Sequence, residues 1–195
     1  PMIMLAISNL LMVGTLEGFA DVWGLNYFLE NGISKSQGAL YASFVFVGLI
    51  IGAPIISRFA EKYNVYSLIG FSGISMAIIM IMIIFEVKML ANEKIIIIAL
   101  LTMAGVFCCY QIFVFDAGSK LVEPRFSSIA IAYLNCINML GGSLFHTSIG
   151  HSIEKLSANY SIIHSYQIAL SIIPIASLIG AAIALVARVK QNKGY

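Results

Sequence analysis

Gly14-Thr15-Leu16-Glu17-Gly18-Phe19-Ala20-Asp21-Val22-Trp23-Gly24 sets two carboxylates into what otherwise reads as the first membrane span of a very apolar chain. Glu17 and Asp21 are four residues apart, so an α-helix puts them on one face. Gly14, Gly24 and Phe28 fall on that face as well. An ionised carboxylate at the bilayer centre costs roughly 2.5–3.5 kcal/mol even on the lenient insertion scale. A face with two of them is therefore expected to look into protein or water.

The composition around this stretch sets the class. Of 195 residues, 60% are hydrophobic and 10% charged, where soluble domains carry about 25% charge. Mean hydropathy is +0.96. This is the composition of an integral membrane protein. A net charge of +2 without any basic, aromatic-interleaved patch gives no basis for nucleic-acid binding. Cys108, Cys109 and Cys136 lie in apolar stretches without metal-ligand spacing, as small buried hydrophobes do. No His-Glu-x-x-His motif is present, and neither a metal nor a cofactor is expected. The apolar start runs past the length of a cleavable signal. The chain opens at Pro1 and enters a span at once, as a piece of a longer protein would.

A span needs about 20 mostly apolar residues. Six segments qualify, near 3–29, 38–56, 66–85, 95–115, 127–150 and 165–186, forming a single transmembrane domain over 1–195. In lipid every backbone polar group must be satisfied within the chain, so an all-α six-helix bundle is expected. Arg58, Lys62, Lys120, Arg125, Arg188, Lys190 and Lys193 collect on one side, and Lys35, Lys88, Lys94 and Lys155 on the other. The richer side is expected to be cytoplasmic, with both termini on it, in a bacterial cytoplasmic (inner) membrane. The third and sixth spans are bland, and the other four hold the glycines and polar residues. A polar, polar, bland order repeated once predicts two three-helix units. Such repeats mark secondary transporters, with the site where the repeats meet.

Gly52-Ala53-Pro54-Ile55-Ile56-Ser57-Arg58-Phe59-Ala60-Glu61-Lys62-Tyr63 resembles the cytoplasmic signature loop of the major facilitator superfamily (MFS). Glu61 replaces the usual Asp, Lys62 stands for the Arg, and the trailing basic pair is missing, as in the copy after the eighth span. The Glu123-Pro124-Arg125 turn is similar to the loop before the eleventh span, and Asn135, Gly141, Gly142 and Gly150 to that span itself. The resemblance implies that the chain is spans seven to twelve, the C-terminal half built of two inverted three-helix repeats. It implies a cavity lined by the first, second, fourth and fifth spans, with the third and sixth facing lipid. It also implies a missing N-terminal half, and a conformational-switch loop containing Gly52, Arg58, Glu61 and Lys62. A plain positive-inside loop would carry the same charges.

Glu17, Asp21 and His146 are the candidate proton-coupling or substrate residues. Like charge and burial raise a carboxyl pKa, and imidazole titrates near neutrality. His146 is placed level with Asp21, where the two would pass a proton. The alternative is a histidine bonded to a backbone carbonyl. Gly14 and Gly18 form a Gly-x-x-x-Gly packing pair. Gln111, Tyr110 and Asn135 are candidate cavity-lining groups for a polar organic solute, or else helix-to-helix links. Asp116 reads as a helix-end ion pair with Lys120. Trp23 and Tyr27 read as interfacial anchors, and His151 and His164 as loop residues.

The leading expectation is half of a non-enzymatic, proton-coupled secondary transporter of a small polar or organic solute, working by alternating access. A stand-alone six-span subunit that dimerises into a transporter or channel is the alternative. Gly70-Phe71-Ser72-Gly73 also resembles the serine motif of rhomboid intramembrane proteases. It lies on the wrong span, however, and the sixth span has no internal histidine.

Overall fold

The computed structural model describes residues 1–192, except the side chains of 88–92 and 190–192. The side chains of Lys88 and Lys190, and Lys193 as a whole, all used in the sidedness argument, thus lie outside the described residues. Six helices are long and apolar enough to cross a membrane: Met2–Glu30, Lys35–Ala60, Val65–Val87, Lys94–Ser119, Pro124–Leu156 and Ile162–Val189, here spans 1 to 6. The described chain is thus an all-helical bundle with the character of an integral membrane protein.

Local chemistry punctuates the helices. Gly32 adopts φ 82° in the turn between spans 1 and 2, a left-handed conformation that costs glycine nothing. Ser34 then caps span 2 by accepting a hydrogen bond from the Gln37 amide at 3.4 Å. Ser161 does the same for span 6 with the His164 amide, also at 3.4 Å. Each satisfies a donor the first helical turn leaves open. His151 and His164 are not in a loop as expected. Span 5 runs on through His151 and span 6 begins at Ile162, so both histidines are exposed on helices.

The packing has a symmetry. Span 2 packs on span 4, span 1 on span 5, span 3 on span 6, span 1 on span 6, and span 3 on span 4. Exchanging spans 1–3 with spans 4–6 maps this set of neighbours onto itself. Glycine makes the equivalent crossings close. A Cβ at Gly48 would overlap the Thr102 carbonyl, and one at Gly105 the Val45 carbonyl, across spans 2 and 4. A Cβ at Gly141 in span 5 would lie 2.6 Å from the Leu10 carbonyl of span 1. Small residues let helix backbones meet in this way, where lipid offers no hydrophobic drive.

Within the chain, spans 3 and 6 are buried over 56% and 50% of their apolar stretches, against 33% for spans 2 and 5. Met76, Met80, Ile83 and Ile84 of span 3 are all 0% exposed. Lipid tails and a protein core are equally apolar, so a bland helix carries no mark of which one it faces.

Candidate functional site

Span 1 does not stay α-helical. It is α over Met2–Met12, 3-10 over Val13–Thr15, π-helical over Leu16–Trp23, and α again over Gly24–Glu30. Wide π turns are rare and collect at functional sites. Span 4 is interrupted too, at Cys109 between Lys94–Cys108 and Tyr110–Ser119. There the Cys109 amide turns back to the Val106 carbonyl at 3.2 Å. Spans 1 and 4 are counterparts under the exchange of units, so an interrupted helix stands at that position in each unit; span 6 is also interrupted, at Ser171 between Ile162–Leu170 and Ile172–Asn192, whereas span 3 is not.

The break splits the face expected on span 1. Glu17 is half-buried and Asp21 exposed, whereas Phe28 is 0% exposed. Gly24 lies against its own chain, with the Phe19 carbonyl 2.8 Å from where a Cβ would stand. Each extra residue in a turn shifts the following face by about 100°, which a continuous-helix reading cannot anticipate.

Span 5 is shaped to the broken segment. A Cβ at Gly142 would stand 3.1 Å from Glu17 Cβ and 3.4 Å from its Oε2, so this glycine seats the acid. Gly14 and Gly18 both rest on Phe145. His146 lies within reach of Glu17, not level with Asp21 alone, and its Nε2 meets the Glu17 backbone carbonyl at 2.6 Å. A carbonyl only accepts, so Nε2 carries the hydrogen. The expected carboxylate–imidazole pair is thus replaced by the carbonyl bond.

The polar groups of spans 4 and 5 divide into linking and exposed ones. Gln111 Nε2 donates to Asn138 Oδ1 at 3.4 Å, and Asn138 is 2% exposed. Asn135, one turn away, is exposed. Tyr110, expected to line a cavity, is instead 0% exposed, and its hydroxyl donates to the Asn9 carbonyl of span 1 at 3.2 Å. The break beside it at Cys109 turns the ring inward. Tyr27 is likewise no interfacial anchor. It is 0% exposed, and its hydroxyl donates to the Ile84 carbonyl in span 3. Trp23 is half-buried against Tyr166, with ring centroids 6.4 Å apart.

At the end of the bundle that bears the termini, Lys120 pairs with Asp116 at 2.7 Å as expected, and Arg125 pairs with Glu123 at 2.8 Å. These are the ion pairs among the described residues, so no cation there neutralises Glu17 or Asp21. Arg58, Glu61 and Lys62 are exposed. Glu61 lines a cleft of about 410 Å³ with Ser57, Asp116 and Lys120. Gly52 lies inside span 2, and a Cβ on it would stand 2.7 Å from Val106 Cα, a packing contact. Among the described residues no three His, Cys, Asp or Glu side chains are grouped to hold a metal.

Sequence reading missed Asn9, which is 0% exposed and donates to the Leu134 carbonyl at 3.3 Å. An asparagine inside an apolar helix is the signal that could have found it. Fold and site together define a helical membrane bundle with an acid-bearing, interrupted first span. No family model, curated protein or solved structure matches the chain.

Proposed function

We propose that this chain is the C-terminal half of an MFS-type secondary transporter, carrying a small polar or organic solute by alternating access with proton coupling through Glu17 and Asp21. One observation carries the reading: the carboxylates without an ion-pair partner sit on the broken helix of the first repeat, and the counterpart of that helix in the second repeat is interrupted too. Interrupted helices at corresponding positions of two repeats point to a transporter's binding site. Intramembrane acids face water or protein because lipid cannot solvate them. No bond-making chemistry is part of this reading. The half would meet a second six-span half over the poorly buried faces of spans 2 and 5, in a bacterial inner membrane with both termini inside.

Those same open faces favour a second reading, a six-span subunit that pairs with a copy of itself. In either case the protein, reconstituted in vesicles loaded with a pH-sensitive dye, is expected to move protons when one solute of a chemically diverse panel is added. Glu17→Gln and Asp21→Asn should each abolish that flux at unchanged expression. Undiminished solute-driven proton flux in both variants sinks the coupling role.

A further inference from the structure

We propose that spans 2, 3 and 4, at the end of the bundle that bears the termini, form a binding site for a phospholipid with a primary-amine headgroup. The three helices show one order of side chains. Deeper in the bundle lies an apolar slot of about 250 Å³, walled by Ile55 and Phe59 of span 2, Phe71 of span 3, and Phe107 and Phe113 of span 4. Phe113 is also a wall of the cleft of about 410 Å³ that holds Ser57, Glu61, Asp116 and Lys120. A further hollow of about 250 Å³ shares Val65, Asp116 and Lys120 with that cleft and adds Asn64 and Tyr66. The walls thus pass from apolar to charged towards one end of all three helices. Such a gradient fits a molecule with a hydrocarbon chain and a polar head, lying along the helices at the edge of a bilayer.

Two groups in the polar part lack partners. Tyr66 is 3% exposed, and its hydroxyl is buried without a hydrogen-bond partner among the described residues. Buried polar groups are otherwise paired with few exceptions, so this hydroxyl is a donor in want of an acceptor. Glu61 is exposed and belongs to neither ion pair of the described residues. Lys120 balances Asp116 and leaves Glu61 over, so the cleft walls are net negative. Arg58 and Lys62 are not among those walls. An anionic headgroup is repelled by the excess charge. A primary ammonium meets it, with three N–H donors to offer Glu61. The phosphate of the same headgroup takes the Tyr66 hydroxyl and the exposed Lys120 ammonium as donors. The inference needs only that the bundle lies in a membrane, and it holds whether or not the chain carries a solute.

The melting temperature of the purified protein in detergent, with lipid added back, tests it. Phosphatidylethanolamine should raise melting more than phosphatidylcholine, whose quaternary nitrogen has no N–H for Glu61. It should also exceed phosphatidylglycerol, which brings negative charge. Glu61→Gln should reduce the phosphatidylethanolamine rise to that of phosphatidylcholine. Tyr66→Phe should lower the rise with both lipids, because it removes a donor to the phosphate they share. Glycerophosphoethanolamine, the headgroup without its chains, should give no rise. The proposal is overturned if phosphatidylcholine or phosphatidylglycerol stabilises the wild type as much as phosphatidylethanolamine does. It is equally overturned if the ethanolamine preference survives in Glu61→Gln, if Tyr66→Phe responds as the wild type does, or if the free headgroup acts as strongly as the lipid. Should Glu61→Gln fail to accumulate, the wild-type comparison and Tyr66→Phe still decide.

Discussion

Gly105 and Gly48 show how little room a membrane crossing leaves. The atom a Cβ at either would meet is a backbone carbonyl oxygen of the facing helix, and a carbonyl cannot rotate aside as a flexible side chain can. Gly105→Ala must therefore push spans 2 and 4 apart. Overpacking of this kind costs about 1–3 kcal/mol, so the variant should unfold at a lower temperature in detergent. Gly32→Asn is the contrast. No atom lies within 4 Å of a Cβ there and φ is +82°, a conformation asparagine tolerates. That variant should melt as the wild type does. Equal melting of both variants would mean that spans 2 and 4 do not approach as described.

Spans 1 and 6 are both tied to span 3 by donors that share one acceptor. The Tyr27 hydroxyl and Gln167 Nε2, at 3.2 Å, both donate to the Ile84 carbonyl, which has two lone pairs. Ile84 lies inside the helix Val65–Asn92, so its carbonyl also accepts the helical bond from the amide four residues on, and the two side-chain donors add to a group that is already satisfied. A side-chain hydrogen bond contributes about 0.5–1.5 kcal/mol net. Tyr27→Phe should therefore lower the melting temperature in detergent modestly, without unfolding the bundle. Unchanged melting of Tyr27→Phe would mean that this bond does not tie span 1 to span 3. At this scale the sequence was informative about what depends on composition and silent about what depends on backbone register. Long apolar runs bounded by Glu30-Asn31-Gly32 and Glu123-Pro124-Arg125 made the helices legible, because lipid admits few alternatives. Glu17, Asp21 and His146 were legible as anomalies of polarity. The burial of Tyr27 and Tyr110, and the carbonyl partner of His146, were not. Each follows from turns at Leu16–Trp23 and Cys109 that shift a face without changing the hydrophobic pattern.

Across the whole bundle, the exchange symmetry leaves spans 2 and 5, themselves counterparts, with the most open faces. On span 5 that face carries polar residues among apolar ones: Ser128, Asn135, Ser143 and Thr147 are exposed, beside Met139, Leu140 and Leu144. A row of hydroxyls and amides gains nothing from lipid, since each polar group without a partner there is penalised. Cys136 borders the row and is exposed, while Cys108 and Cys109 are buried. If the row lines a water-filled cavity, a membrane-impermeant maleimide should label Cys136 in reconstituted vesicles. Cys108 and Cys109 should stay unmodified, as peptide mass spectrometry would read site by site. Thiol alkylation needs the thiolate, which forms in water and not in hydrocarbon, so labelling distinguishes the two environments more sharply than exposure alone. A Cys136 as inert as Cys109 would put lipid against this face and remove the cavity on which a transport reading depends.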